Sequence, residues 1–191
     1  MSRKTCNLIC RSRAQGLCGR PSLRRASYST AAKGTAVTDD ITRFVLLLLL
    51  SLLVGTMFGT WVGYNPAGLA ATSYVEQQQN AIRAFNTLLP VIGAACILLT
   101  AGLAFRAGTD VRVRYLHIAA AACMGVAAVV TRFGNQPINA VVMTLSAQAP
   151  AANWTALRDT WWQWHIVRSV AGIVALALTF LAVLASRRAR A

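Results

Sequence analysis

Four long apolar runs, separated by short polar stretches, set the pattern of this chain. They extend from about Ile41 to Gly63, Ala84 to Phe105, Tyr115 to Thr131 and His165 to Ser186. A helix crossing a bilayer needs about 20 mostly apolar residues, because the hydrocarbon core is roughly 30 Å thick. The pattern therefore predicts an all-α fold, a bundle of four transmembrane helices. The first run stops at Tyr64-Asn65-Pro66, where proline disfavours helix at the residue before it. Within that run Ser51, Gly55, Gly59 and Gly63 recur every four residues and share one face, which predicts close helix packing through Gly55, Gly59 and Gly63. Between the third and fourth runs, Ile138, Val141, Val142 and Leu145 fall on one helical face. They predict a short helix lying in the interface or folded back toward the bundle, ended by Pro150.

Composition sharpens this membrane reading. The 191 residues are 56% hydrophobic, more than an ordinary soluble domain carries. The net charge of +14 is unevenly placed: residues 1–36 hold eight basic side chains and no acid, and the remainder holds eleven basic against five acidic. The leader, residues 1–36, is rich in Arg, Ser and Ala and reads as disordered. Two origins fit it, an organellar transit peptide or an over-extended start preceding a natural beginning near Val37. The four-span domain occupies residues 37–191 on either reading. The arginines outside the leader sit beside apolar runs, as topology signals do, and nucleic acid is not an expected partner. Arg43, Arg106, Arg112, Arg114, Arg187, Arg188 and Arg190 fall on one side, against Arg83, Arg132, Arg158 and Arg168 toward the other. The positive-inside rule then predicts cytoplasmic termini in a bacterial cytoplasmic membrane, or in an organellar inner membrane if the leader is a transit peptide.

On that topology the informative polar side chains gather at the extracytoplasmic end. Gln79, Arg83 and Asn86 follow one face into the second span; Arg132, Asn135 and Asn139 follow the third; Arg158, Trp161, His165 and Arg168 run at spacings of three and four into the fourth. Asn135 either lines a site or caps the short helix. Trp161, Trp162 and Trp164 read alternatively as an interfacial belt, and Arg83 and Arg132 as side chains reaching toward phosphates. Arg168 is different, because a charge inside an apolar segment costs roughly 2.5 to 3.5 kcal/mol unless it faces a polar cavity. His165, one turn away, points at the same cavity and reads either as a structural residue or as a neutral imidazole able to accept a proton at pH 7.

The same residues bound the chemistry. His117 and His165 open opposite ends of different spans, roughly 20 Å apart by helix rise, too far to share a haem or metal ion. Asp39, Asp40, Glu76, Asp110 and Asp159 all lie outside the spans, so the carboxylate relay of a proton-coupled transporter is missing. The cysteines show no zinc spacing, and Cys96 and Cys123 read as small buried hydrophobes. A cavity of amides, guanidinium groups, His and Trp suits a small aromatic or quinone-like ligand with anionic oxygen, in a protein otherwise surrounded by membrane lipid.

Arg132-Phe133-Gly134-Asn135-Gln136-Pro137-Ile138-Asn139, followed by Trp154, Arg158, Trp161, His165 and Arg168, resembles the anthrone oxygenase-like family of small four-span membrane proteins. The glycine-rich first span ending near Pro66 is similar too, and the resemblance covers about Ile41 to Ala185. It implies oxidation of an anthrone-type polyketide to an anthraquinone by dioxygen without a cofactor or metal. His165 and Arg168 would be catalytic, and Arg83, Asn86, Arg132, Asn135, Asn139, Arg158 and Trp161 would bind substrate. The alternative is a non-enzymatic membrane protein that binds a lipid or quinone, or packs with a partner subunit.

Overall fold

The computed structural model describes residues 22–149 and 151–188. Pro150 and most of the leader lie outside the described residues. Contacts divide the chain into one unit up to Ile41 and a second from Thr42 onward, which holds most of the bundle. All described regular structure is helical: α1 (Ser22–Gly63), α2 (Ala71–Phe85), α3 (Leu88–Arg106), α4 (Val111–Val130), α5 (Gln136–Val142) and α6 (Trp154–Arg188). Four segments have the length and apolarity to cross a membrane: Ala36–Gly68, Leu88–Arg106, Val111–Val142 and Trp154–Arg187. The chain is thus an all-helical four-span membrane protein.

Local sequence explains each boundary. After α1, the Asn65 side chain accepts from the Ala67 N–H and Pro66 starts a short 3-10 turn. Between α3 and α4, Gly108 takes φ +60°, and the Asp110 carboxylate accepts from the Val113 N–H to begin α4. The second span begins at Leu88 rather than at Ala84, because Pro90 has no N–H to give the Asn86 carbonyl and its ring crowds that position. The break makes α2 a separate helix.

Proline also shapes the end of the third span. Pro137 would crowd the Phe133 carbonyl in a regular α-helix, and the backbone widens into a π-helical turn over Thr131–Asn135. Past this turn the helix continues from α4 as α5, over part of the stretch expected to form a short helix before the fourth span. The fourth helix starts at Trp154, eleven residues before the apolar run itself, since Arg158 and Asp159 are compatible with helix although polar. At 35 residues it is about 52 Å long, more than one hydrocarbon thickness.

The core joins Leu46, Leu50 and Val54 of α1 to Cys96 and Leu103 of α3, Met124 of α4 and Ala175 of α6. Cys96 is buried and Cys123 half-buried, and both are free thiols. Large apolar side chains such as Phe44, Leu52, Leu98, Phe105 and Phe180 point outward, an arrangement stable against lipid but not against water. A Cβ added at Gly55, Gly59 or Gly63 meets nothing within 4 Å, so among the described residues no helix of this chain packs closely on the glycine face. Spacing shows that these residues share a face; it does not show which way the face turns. The close approach belongs to Gly172 of α6, where an added Cβ would lie 3.3 Å from Val54 and Met57 of α1.

Candidate functional site

A cavity of about 300 Å³ opens inside the bundle. It is bounded by Leu50–Thr60 of α1, Gln78–Asn86 around α2, Leu89–Ile97 of α3, Met124–Arg132 of α4 and its π turn, Gln136 and Asn139 of α5, and Trp161–Gly172 of α6. These stretches come from the ends of α1 and α4 and the beginnings of α3 and α6, which places the cavity in the half of the bundle away from Arg43 and Arg187. Most of its wall is apolar, from residues such as Val54, Ile82, Ile97 and Met124. Arg132 and Arg168 bring positive charge, and no Asp or Glu lines it.

The polar wall is organised around α6. Trp161, His165 and Arg168 fall on one face because they are four and three residues apart. The Arg168 guanidinium donates to His165 Nδ1 from Nε at 3.2 Å and from Nη2 at 2.9 Å. A nitrogen that accepts carries no proton, so the imidazole proton is on Nε2, which donates to the Met57 carbonyl at 3.1 Å. The ring is 1% exposed and stacks on Trp161 at 5.2 Å with a 2° interplanar angle. Trp162 flanks it at 5.5 Å. The guanidinium also stands over the Trp161 ring, 5.7 Å from its centroid. One face of α6 thus presents an aromatic surface, a fixed imidazole and a cation with unused donors.

A second chain of bonds sets Trp161. Its Nε1–H donates to Asn139 Oδ1 at 2.9 Å, and Asn139 Nδ2 donates to Asn86 Oδ1 at 3.0 Å. Asn135 Nδ2 donates to the Trp161 carbonyl at 3.0 Å. The three asparagines therefore fix the indole from two directions, through its ring and its backbone.

The structure brings Asn86, Arg132, Asn139, Trp161, His165 and Arg168 onto the cavity. Asn135 is fully buried just behind it; its side chain makes no helix-capping bond, so the capping alternative does not apply. Arg83 turns to the exposed face of α2 and donates to Asn80 and Gln79. Arg158 pairs with Asp159 at 2.8 Å and covers Trp154, away from the cavity wall. Of the three clustered tryptophans, Trp161 is buried in the site and Trp164 is 40% exposed and packs against Gly134.

Met57 and Gln78 are among the wall residues that escaped the sequence reading. Met57 contributes a backbone carbonyl, which no side-chain pattern announces. Gln78 carried a usable signal: with Val75 and Ile82 it follows a three-and-four spacing, so the apolar phase of α2 turns Gln78 inward. Gln79 is on the neighbouring face, where its Nε2 donates to the carbonyls of Val142 and Leu145, both at 3.0 Å, and ties α2 to the end of α5. Tyr74, also inward and fully buried, packs on Trp154 at 5.7 Å, and burial raises its phenol well above the usual range. Among the described residues no three His, Cys, Asp or Glu side chains cluster as metal ligands.

Fold and cavity together define a four-span helical membrane protein with an acid-free, arginine-bearing chamber. A family model described as anthrone oxygenase matches residues 79–178, more than half of the chain, and the protein belongs to that family. The matched stretch contains the paired asparagines and the tryptophan, histidine and arginine of α6. No curated protein and no solved structure matches the chain.

Proposed function

We propose that the protein is a cofactor-independent oxygenase that converts an anthrone-type aromatic to a quinone with dioxygen. The observation that carries this reading is the His165–Arg168 pair, stacked on Trp161 at the wall of an apolar chamber without a carboxylate. A cation in such a place favours a ligand that brings or develops negative charge. Family membership supports the same reading.

The chemistry follows from the groups present. The substrate ring packs on Trp161, and the Arg168 guanidinium transfers its donors from His165 Nδ1 to the substrate ketone oxygen. Nδ1, released, takes a proton from the activated ring CH₂ para to that ketone across the central ring. The C–H electron pair delocalises onto oxygen as a phenolate-like anion held by Arg168, with Asn139, Asn86 and Arg132 as further polar groups of the chamber. The anion reduces dioxygen and forms a C–O bond at the deprotonated carbon, and the imidazolium returns its proton to the peroxide. Loss of the second C–H proton with cleavage of the O–O bond gives the new carbonyl and water. One dioxygen is consumed, one of its atoms in the quinone and the other in water.

The arginines at the end remote from the cavity support cytoplasmic termini, which puts the chamber in the outer half of the membrane. Anthrone-dependent oxygen uptake by the protein purified in detergent tests the reading. Uptake above the spontaneous rate is expected; its absence would remove the enzymatic reading and leave ligand binding alone.

A further inference from the structure

Gln78 is 1% exposed, yet only half of its amide is engaged. The Tyr64 hydroxyl donates to Oε1 at 3.3 Å, while the buried Nε2 has no partner. In this arrangement the Tyr64 hydroxyl engages Oε1 and leaves Nε2 as the open end of the amide. A buried donor left unmet is destabilising unless an acceptor arrives. Gln78 borders the cavity, as do His165 and Arg168, but near a different level of the bundle. His165 bonds to Met57 of α1 and Gln78 to Tyr64, the residue just past its end, and these two points are seven residues, about 10 Å of helix rise, apart.

We infer that Gln78 is a specificity-determining residue that donates from Nε2 to an oxygen on an outer ring of the aromatic ligand, remote from the oxygen held by Arg168. The inference rests on the proposed ligand class and adds a second anchor to it. The chamber then reads its ligand at both ends. An aromatic without an outer-ring oxygen leaves Nε2 unmet and binds more weakly, by about tenfold for one buried hydrogen bond.

The test uses two product-like quinones, 2-hydroxyanthraquinone and unsubstituted anthraquinone, with binding to the full chain in detergent followed by quenching of tryptophan fluorescence. The wild type is expected to prefer the hydroxylated quinone about tenfold. Gln78→Leu should abolish the preference while leaving the affinity for anthraquinone unchanged. Tyr64→Phe, which retains the ring and frees the amide to rotate, should reduce the preference even if Gln78→Leu fails to fold. Equal binding of the two quinones by the wild type, an undiminished preference in Tyr64→Phe, or equal weakening of both ligands by a folded Gln78→Leu would each overturn the inference. Absence of anthrone oxidation with the preference intact overturns the oxygenase reading alone.

Discussion

Arg168 and His165 act as one group: the guanidinium makes two hydrogen bonds to the imidazole Nδ1, at 3.2 and 2.9 Å, and so determines its tautomer. Met57 holds the opposite nitrogen. On the proposed mechanism Nδ1 is masked until the arginine finds another acceptor, which would couple its exposure to the arrival of substrate oxygen. His165→Ala should lower kcat by about 100-fold or more, in the range of a lost general base. Arg168→Gln should lower it about 100-fold as well, with an altered KM, because an oxyanion donor is removed. Their double variant should fall little below either single variant, since each loss disables the same step. Oxygen uptake at saturating anthrone checks all three; additive losses contradict the coupling.

Asn139 is the joint between α2 and α6 through its bonds to Asn86 and Trp161. Asn139→Leu leaves the part-buried indole N–H without its acceptor and the Asn86 side-chain Oδ1 without its donor. The expected cost is about 1–3 kcal/mol, read as a lower thermal midpoint in detergent. A rise in KM larger than the fall in kcat should accompany it, because the proposed mechanism packs the substrate ring on Trp161.

Gly134 is required by contact and not by backbone angle. A Cβ there would lie 2.8 Å from Trp164 Cγ, inside any normal approach of carbon atoms. Gly134→Ala must displace the indole or open the π turn, at about 1–3 kcal/mol of overpacking. A lowered thermal midpoint and a shifted tryptophan emission are expected. Gly55→Ala, on the outward face, should leave both unchanged in the isolated chain.

Gln79 fastens α2 over the chamber by bonding the carbonyls of Val142, the last residue of α5, and of Leu145 just after it. Gln79→Leu should increase amide hydrogen exchange in α2 while α3 and α6 stay protected, since only the fastening is lost. Uniform exchange across the bundle would show that Gln79 supports the whole fold instead.

The four spans were legible because each is an uninterrupted apolar run whose length must match a bilayer, a constraint few other folds satisfy. Their edges were less so. Pro90 breaks the helix four residues before itself, and Arg158 with Asp159 hides the first turns of α6, so hydropathy alone misplaces both starts. At the site, Trp161, His165 and Arg168 were legible from helical spacing within one rigid element. Arg83 was not, because the phase of α2 had to be judged from its apolar residues, and these turn Gln78 inward and Arg83 outward. The outward turn of Gly55, Gly59 and Gly63 is equally invisible to spacing. Contacts between elements, such as Asn139 to Trp161 or His165 to the Met57 carbonyl, exist only once the helices are assembled.

The central claim is that the chamber directs dioxygen onto an anthrone-type substrate without a cofactor, and isotope labelling tests it most directly. Metal-depleted protein in detergent is supplied with an anthrone and ¹⁸O₂, and the quinone is analysed by mass spectrometry against a protein-free control. The account predicts a protein-dependent rate, one ¹⁸O atom in each quinone, one dioxygen consumed per quinone formed, and loss of the rate enhancement in Arg168→Gln. A rate equal to the control, or an enhancement that survives Arg168→Gln undiminished, would contradict it.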